Sequence, residues 1–461
     1  MTTAQHARFS IAQLRAGLAG PVLGPDDAAY DEARHVFLPS ADRRPAAIVR
    51  PVDAGEVSRV VSLAHDAGVE LAVRGGGHSS AGHSTSEGGV VLDLRGLATL
   101  EIDDDGRVAH AAGGLTAGDV MAAAAPRGLA VGFGDAPSVG IGGLTLGGGA
   151  GYLVRKHGLT IDHLLGAEVV TADGRVLEVD ADNHPDLFWA IRGGGGNFGV
   201  VTRFDYRLHP VDMVTGGMLA LAATAETLAG LVAAAEAAPE ELSVIANVLL
   251  APPLPFVPPE LVGKPLLLAM LVHAGPLDEG EQAVAPLRAL APPVADFVRA
   301  MPYSEMFTAE AQPAPPHSVI RTFFSDAFDE AAAGELLDRL QASTAQLPAA
   351  QIRVLGGAVA RVPSEATAFA HRQRRMMVNV AAIYASPEED SLHRAWADEA
   401  AAALRRGDDG AYVNFLADEG AERVRSAYPG ATWDRLAEVK RRYDPENVFR
   451  LNQNVPPARR R

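Results

Sequence analysis

The chain has 461 residues, 48% hydrophobic and 21% charged, so it can bury a sizeable core and does not have the composition of a disordered chain. Its 57 acidic residues against 40 lysines and arginines, a formal charge of −17, argue against a nucleic-acid groove or an anionic membrane surface as the main partner. The sequence has no cysteine, which excludes disulfides, Cys-type zinc sites, iron–sulfur clusters, thiol nucleophiles and cysteinyl cofactor bonds.

In chain order, the first twenty residues show no apolar h-region and no small-residue cleavage site. Nothing approaches the roughly 18 apolar residues of a membrane span, so a cytoplasmic location is the default expectation. Val57, Val60, Val61 and Ala64 recur at helical spacing and predict an amphipathic helix over 54–67. Val69 to Val73 reads as a strand running into Arg74-Gly75-Gly76-Gly77-His78. Further strands are expected at 89–94 and 107–112, and an Ala-rich helix at 116–125 that stops at Pro126. Asp173-Gly174 marks a hairpin between strands at 167–171 and 175–179.

Glycine is unevenly spread, with dense clusters at 75–77, 140–151 and 193–199. The third contains Gly194-Gly195-Gly196-Asn197-Phe198-Gly199, a formal G-x-G-x-x-G. A dinucleotide fold needs a strand before it and a helix after it. Here the order is reversed, helix at 185–191 and strand at 200–206, so the run reads as a helix-to-strand turn; close approach to something flat or phosphorylated stays open. No Walker A or G-x-S-x-G motif occurs. Past His209-Pro210 the texture changes. Strands are expected at 218–222, 243–250, 265–272, 352–359 and 377–384 with helices between, read as an antiparallel α+β sheet. A last helix is expected at 433–443, ended by Asp444-Pro445. The terminal Ala458-Arg459-Arg460-Arg461 reads as an exposed tail, too short for a nucleic-acid arm.

Two glycine-rich segments carry chemistry. In Arg74-Gly75-Gly76-Gly77-His78-Ser79-Ser80-Ala81-Gly82-His83, adjacent glycines permit positive φ and bring backbone N–H groups against a ligand such as a pyrophosphate. His78 and His83 as metal ligands are a weaker reading, with no acidic partner at helical spacing. Residues 134–151 hold eight glycines, too many to serve helix or sheet stability, and point to close approach. Together the two nests suggest a large, extended, phosphate-containing cofactor.

RGGGHSSAGHS, VGIGGLTLGGGAGYLVRKHGLTIDHLLGAEVVTADG, PDLFWAIRGGGGNFGVVTRF and RRYDPENVFRLNQNVPP, taken together, resemble the vanillyl-alcohol-oxidase flavoprotein superfamily, and within it the berberine-bridge-enzyme-like FAD-linked oxidases. The likeness runs from about Ala46 to Pro457. It implies an α+β fold with a PCMH-type FAD-binding domain over 1–211 (core about 42–211), a substrate domain over 212–405 with an antiparallel sheet covered by helices, and a segment 406–461 returning to the FAD domain. It implies FAD bound covalently through His78, whose neutral imidazole is a competent nucleophile. Arg74, Gly75, Gly76, Gly77, Ser79, Gly82 and His83 would hold or flank the cofactor. Gly140, Gly142, Gly143 and Val200 would line it, and Asn452 and Asn454 would return to it. Relatives with a second tether have Cys where this chain has Ala136, so a single tether is implied. Val139 falls at the position that gates oxygen.

On the substrate side, Ala411-Tyr412-Val413-Asn414-Phe415 resembles the family's Y-x-N-Y segment with Phe415 in place of the second tyrosine. This implies Tyr412 as base or hydrogen-bond partner and Asn414 as a polar anchor. Tyr303, Glu305, His317, Arg321, Gln351, Arg353 and Tyr384 fall in the expected roof. The implied activity is oxidation of a C–H bond next to O or N of a small organic molecule, with O2 as acceptor and peroxide as product, in a monomer or homodimer, in keeping with secondary metabolism. A dehydrogenase using another electron acceptor, or a non-catalytic flavin carrier, are the rival readings.

Overall fold

The computed structural model describes residues 10–38, 41–103, 107–307, 317–406 and 410–459. Arg460 and Arg461 of the expected tail lie outside them.

Three sheets of four or more strands organise the described residues, beside a two-stranded pair of Leu129–Ala130 with His209–Pro210. The first is small and mixed, in the order Val22–Leu23, Ala47–Val49, Val90–Asp93, Leu71–Arg74. Its last two pairings are parallel, so a crossover is required. The helix Ala54–Ala67 supplies it, capped by the Asp53 side chain on the Glu56 N–H and ended by Gly68 at φ 61°. Val57, Val60, Val61 and Ala64 bury its inner face. The second sheet is antiparallel, in the order Leu100–Asp103, Val108–Ala112, Val200–Arg207, Leu164–Val170, Val176–Asp180. Gly174 at φ 78° turns the expected hairpin. A capping box between Thr116 and Asp119 starts the helix Ala117–Ala124.

The third sheet is antiparallel throughout among the described residues. It runs Pro293–Asp296, Met213–Ala222, Pro265–His273, Leu242–Leu250, Leu347–Val354, Met376–Tyr384, His317–Ser325, with Arg299–Pro302 also on Met213–Ala222. The helices Ala225–Ala237, Leu277–Arg288, Glu330–Ala342 and Asp390–Arg405 cover one face, and their apolar residues share a core with strand residues such as Val244, Ile352 and Val378. The opposite face looks back at the N-terminal half.

Three expectations need correction. The strand expected at 352–359 is Leu347–Val354; Gly356 and Gly357, both at positive φ, end it, and Val359 sits in the short helix Ala358–Arg361. The strand His317–Ser325 was not anticipated. Both its faces are covered, so apolar and polar residues do not alternate cleanly along it. Finally, residues 134–151, read as too glycine-rich for regular structure, contain the helix Ile141–Gly147. There a Cβ on Gly143 would meet nothing within 4 Å, while one on Gly147 would overlap the Asn414 carboxamide.

Candidate active site

A cavity of about 460 Å³ lies where the three glycine clusters, the C-terminal segment and the edge of the third sheet meet. The first cluster follows directly from the strand Leu71–Arg74 and contributes Gly75, Gly76, Gly77, His78, Ser79 and His83 to its wall. Gly77 turns at φ 78°. Gly76 and Gly140 touch backbone to backbone, and a Cβ on either would overlap the nitrogen of the other, so these two glycines join the first nest to the second. From the second segment come Val139, Gly140, Gly142 and Gly143, along with Ala136; from the third, Gly195, Gly196 and Val200. The third cluster is a helix-to-strand turn, from Pro185–Ile191 to Val200–Arg207, as its sequence order implied.

His78 is held from two sides. Its ring stacks on Phe37 at 4.0 Å between centroids, and its Nε2 lies 3.1 Å from the Ser138 hydroxyl. His83 is half-buried in the wall, and its desolvation pushes the imidazole down to about 4 and keeps it neutral at pH 7.

Tyr412 and Asn414 enter from the C-terminal segment. The Tyr412 phenolic oxygen accepts hydrogen bonds from the Gly149 N–H at 2.7 Å and from Asn414 Nδ2 at 3.0 Å. Asn414 also donates to the Leu144 carbonyl at 2.9 Å. Burial raises the Tyr412 pKa, and the two donors and Arg353 oppose that rise without cancelling it. Arg353, itself buried, reaches from the third sheet to both carboxylate oxygens of Asp135, at 2.8 and 2.9 Å, and to the Ala150 carbonyl. Its guanidinium lies 5.4 Å from the Phe415 ring centroid. Asp135, Ala150 and Phe415 all line the cavity.

Asn452 lines the cavity; its Nδ2 donates to the carbonyls of Gly196 and Phe449. Three sequence-derived candidates lie outside the wall. Arg74 turns inward and donates to the carbonyls of Ser84 and Ala33, bracing the loop from beneath. Gly82 closes the turn after Ser79, with its carbonyl on Arg43. Asn454 is one residue beyond the lining Gln453. Of the roof candidates, Arg353 reaches a cavity residue. Tyr303 is buried in the core, Tyr384 bonds Asp390, and Arg321 pairs with Asp398. Phe37, Ser138, Gly149 and Asp135 were not singled out from sequence. Ser138 and Asp135 sit inside the second glycine-rich segment, which was the available signal; Phe37 had none.

The wall fits a large flat cofactor with hydrogen-bonding edges. Cβ atoms on Gly143 and Gly196 would project into open space, so the glycines leave a cradle that side chains would fill. The Oδ1 atoms of Asn452 and Asn454 are buried and have no hydrogen-bond partner among the described residues.

Comparison with known proteins agrees. Residues 45–180 match the FAD binding domain family and residues 411–456 the berberine and berberine-like family. The chain is 34% identical to the (R)-6-hydroxynicotine oxidase of Paenarthrobacter nicotinovorans over 456 residues, covering 95% of this chain and 97% of that one. The crystal structure of 6-hydroxy-D-nicotine oxidase from Arthrobacter nicotinovorans superposes with a TM-score of 0.85 at 31% identity, covering 96% of this chain and 98% of that one. Glucooligosaccharide oxidase from Acremonium strictum, described with a 6-S-cysteinyl, 8α-N1-histidyl FAD, shares the fold with a TM-score of 0.84 at 23% identity, over 98% of this chain and all of that one. With an FAD-binding segment at 45–180, a berberine-like segment at 411–456 and end-to-end likeness to a flavin oxidase, the chain belongs to the berberine-bridge-enzyme-like FAD-linked oxidases of the vanillyl-alcohol-oxidase superfamily.

Proposed function

We propose that this FAD-linked enzyme is an oxidase that carries its flavin on a single covalent bond to His78 and uses Tyr412 as the proton acceptor. The observation that supports this most directly is convergence: His78, Val139, Tyr412 and Asn414, drawn from three distant parts of the chain, line one cavity. Held there, FAD would supply the two-electron acceptor for hydride from a C–H bond next to O or N, with reoxidation by O2 giving hydrogen peroxide.

The protein's own residues do the rest. Ser138 at Nε2 and Phe37 against the ring hold the His78 imidazole, the group that would carry the flavin. Ala136 stands where a second tether would need a thiol. Gly149 and Asn414 point N–H groups at the Tyr412 oxygen, the arrangement that stabilises a phenolate as the proton of a substrate O–H or N–H arrives. Val139 lines the cavity at the position that the family resemblance assigns to the oxygen gate, and a valine there favours oxidase over dehydrogenase.

Acid precipitation tests the tether. The wild-type pellet should be yellow and the His78→Ala pellet colourless; a colourless wild-type pellet would overturn the covalent assignment. Photoreduced protein mixed with air tests the acceptor. Sluggish reoxidation would give the dehydrogenase reading precedence.

A further inference from the structure

The backbone that meets the Tyr412 oxygen is a turn that its own residues cannot hold in place. Gly148 and Gly149 stand at φ 137° and 75°, and the Gly149 N–H donates to the phenol oxygen at 2.7 Å. Glycine loses more conformational freedom on ordering than any other residue, so two in a row need support from outside. Two bridges from the C-terminal half of the chain supply it. On one side, Arg353 Nη1 donates to the Ala150 carbonyl at 2.8 Å, Nη2 to both oxygens of Asp135, and Nε to Gln351 Oε1 at 3.0 Å. On the other side, the N–H groups of Thr160 and Ile161 donate to the carbonyls of Gly149 and Gly148. That neighbouring turn is fixed by Asp162, which accepts from the Leu159 N–H and from both terminal nitrogens of Arg372.

The two bridges stand differently towards the site. Arg372 pairs with Asp162 and lies over the Phe369 ring, while His371 stacks on Phe324; both rings pack in the cluster that holds Tyr412. Arg353 lies over Phe415, whose ring meets Tyr412 edge-on at 5.2 Å between centroids, and its partner Asp135 lines the cavity. All three guanidinium nitrogens of Arg353 are engaged, and Gln351 is held in turn by Asn247, which fixes the head in one place. The charges of the pair act on Tyr412 in opposite senses: Arg353 lowers its pKa and Asp135, more weakly, raises it. Asp135 therefore works against a phenolate by its own charge, and its use is mechanical. Without it Arg353 would be a buried cation lacking its carboxylate, and the fork would lose the contact that aims it at Ala150.

We propose that Arg353 and Asp135 are a positioning pair for Tyr412: their bridge holds the Ala150 carbonyl, and through that peptide keeps the Gly149 N–H on the phenol oxygen. This rests on the reading of Tyr412 as proton acceptor. Arg353 comes from the third sheet, whereas Asp135 and Ala150 belong to the second glycine-rich segment. The hydrogen-bond donor for the phenolate is thus set only when these two parts of the chain are docked. The pair acts through the turn and through charge, and takes no proton itself.

The test compares wild-type holoenzyme with Arg353→Met and Asp135→Asn, each carrying difluorotyrosine at position 412, a phenol acidic enough to titrate while the protein is folded. Fluorine NMR reads its midpoint. Both variants should melt at a lower temperature, because each breaks the bridge. The midpoints should nevertheless part: upward in Arg353→Met, which removes the favourable charge, and downward in Asp135→Asn, which removes the opposing one. A bridge that merely braces the fold would not separate them in sign. In proteins with the natural tyrosine, amide exchange of the peptide spanning Gly149 should speed up by about tenfold in Arg353→Met, the effect of losing one hydrogen bond. Asp135→Asn keeps an acceptor on Arg353 and folds with the smaller loss, so its downward shift tests the pair even where Arg353→Met is unstable. Midpoints that stay put or move together, or unchanged exchange at Gly149, would overturn the positioning role. Failure of the base reading is separable: it shows as wild-type flavin reduction in Tyr412→Phe, whereas titration and exchange use no substrate.

Discussion

Tyr412 is the residue on which the proposed chemistry turns, and its surroundings pull in opposite directions. Burial raises its pKa above the ordinary 10, while Gly149 N–H, Asn414 Nδ2 and the Arg353 charge favour the phenolate. Since burial prevails, the deprotonated form is scarce at neutral pH, and the reductive half-reaction should accelerate as pH rises from 7 towards 10. Tyr412→Phe keeps the packing against Phe369 and Phe415 but removes the acceptor oxygen. Flavin reduction should slow by about 10²- to 10⁴-fold, the usual contribution of a general base. Asn414→Leu withdraws one donor and should move the alkaline limb further up in pH. Stopped-flow reduction across pH checks both; a Phe variant at wild-type rate would remove Tyr412 from the mechanism. The glycines beside it act by shape. Gly147 leaves room for the Asn414 carboxamide, and Gly148, at φ 137°, lets the backbone pass the phenol ring.

At the level of elements, regular local signals were legible and long-range ones were not. The helix at 54–67 announced itself by its apolar spacing, and the Asp-Gly hairpin by its turn residues, because both depend on neighbours in sequence. His317–Ser325 was hidden because its two covered faces erase alternation. The Arg353–Asp135 bridge joins residues 218 positions apart, a separation that no spacing rule encodes. Another such meeting brings together His157, at the end of the helix Val154–His157, His163, and His209 from the strand His209–Pro210. His157 stacks on His209 at 4.1 Å, and His209 Nε2 lies 2.8 Å from His163 Nδ1. Burial pushes His157 down to about 3, with repulsion from His209 and Lys156 adding to it; burial also lowers His163 and His209. All three are thus neutral when folded at neutral pH, whereas the unfolded chain takes up protons below its ordinary value of about 6.5. Their contribution to stability is complete above that pH and is lost as pH falls through the lowered folded values, about 3 for His157. Each histidine adds a slope of about 1.4 kcal/mol per pH unit where only the unfolded chain is protonated. His157→Phe preserves a stacked ring and should reduce the slope below pH 6 by about one such increment, read from denaturant unfolding at several pH values. An unchanged slope would show that this histidine is protonated in the folded protein.

For the whole molecule, the cavity is where separate parts of the chain close on one another. The turn after Leu71–Arg74, the segment around Ala136, the turn at 195–200 and the C-terminal Asn452 all face it. The C-terminal part is locked by a fully buried lysine: Lys440 Nζ donates to the carbonyls of Asn197 and Phe449 and to Asp444. Val455 N–H returns to Asn197 Oδ1. FAD bound in this cavity would be lined by residues from the N-terminal sheet, the second sheet and the C-terminal segment, which would link cofactor binding to global stability. The proposed His78 bond would decide how that linkage looks. With the flavin attached, its concentration in solution is irrelevant, and the wild-type melting temperature should not respond to added FAD. His78→Ala keeps the cradle but lets the cofactor exchange, so its stability should follow mass action, rising by about 2.7 kcal/mol at a free FAD concentration 100 times Kd. A titration of melting temperature against FAD for both proteins tests this. Wild-type protein that also climbs with FAD would mean the flavin is not bonded, and a variant insensitive to FAD would mean that the glycine cradle cannot hold it without the bond.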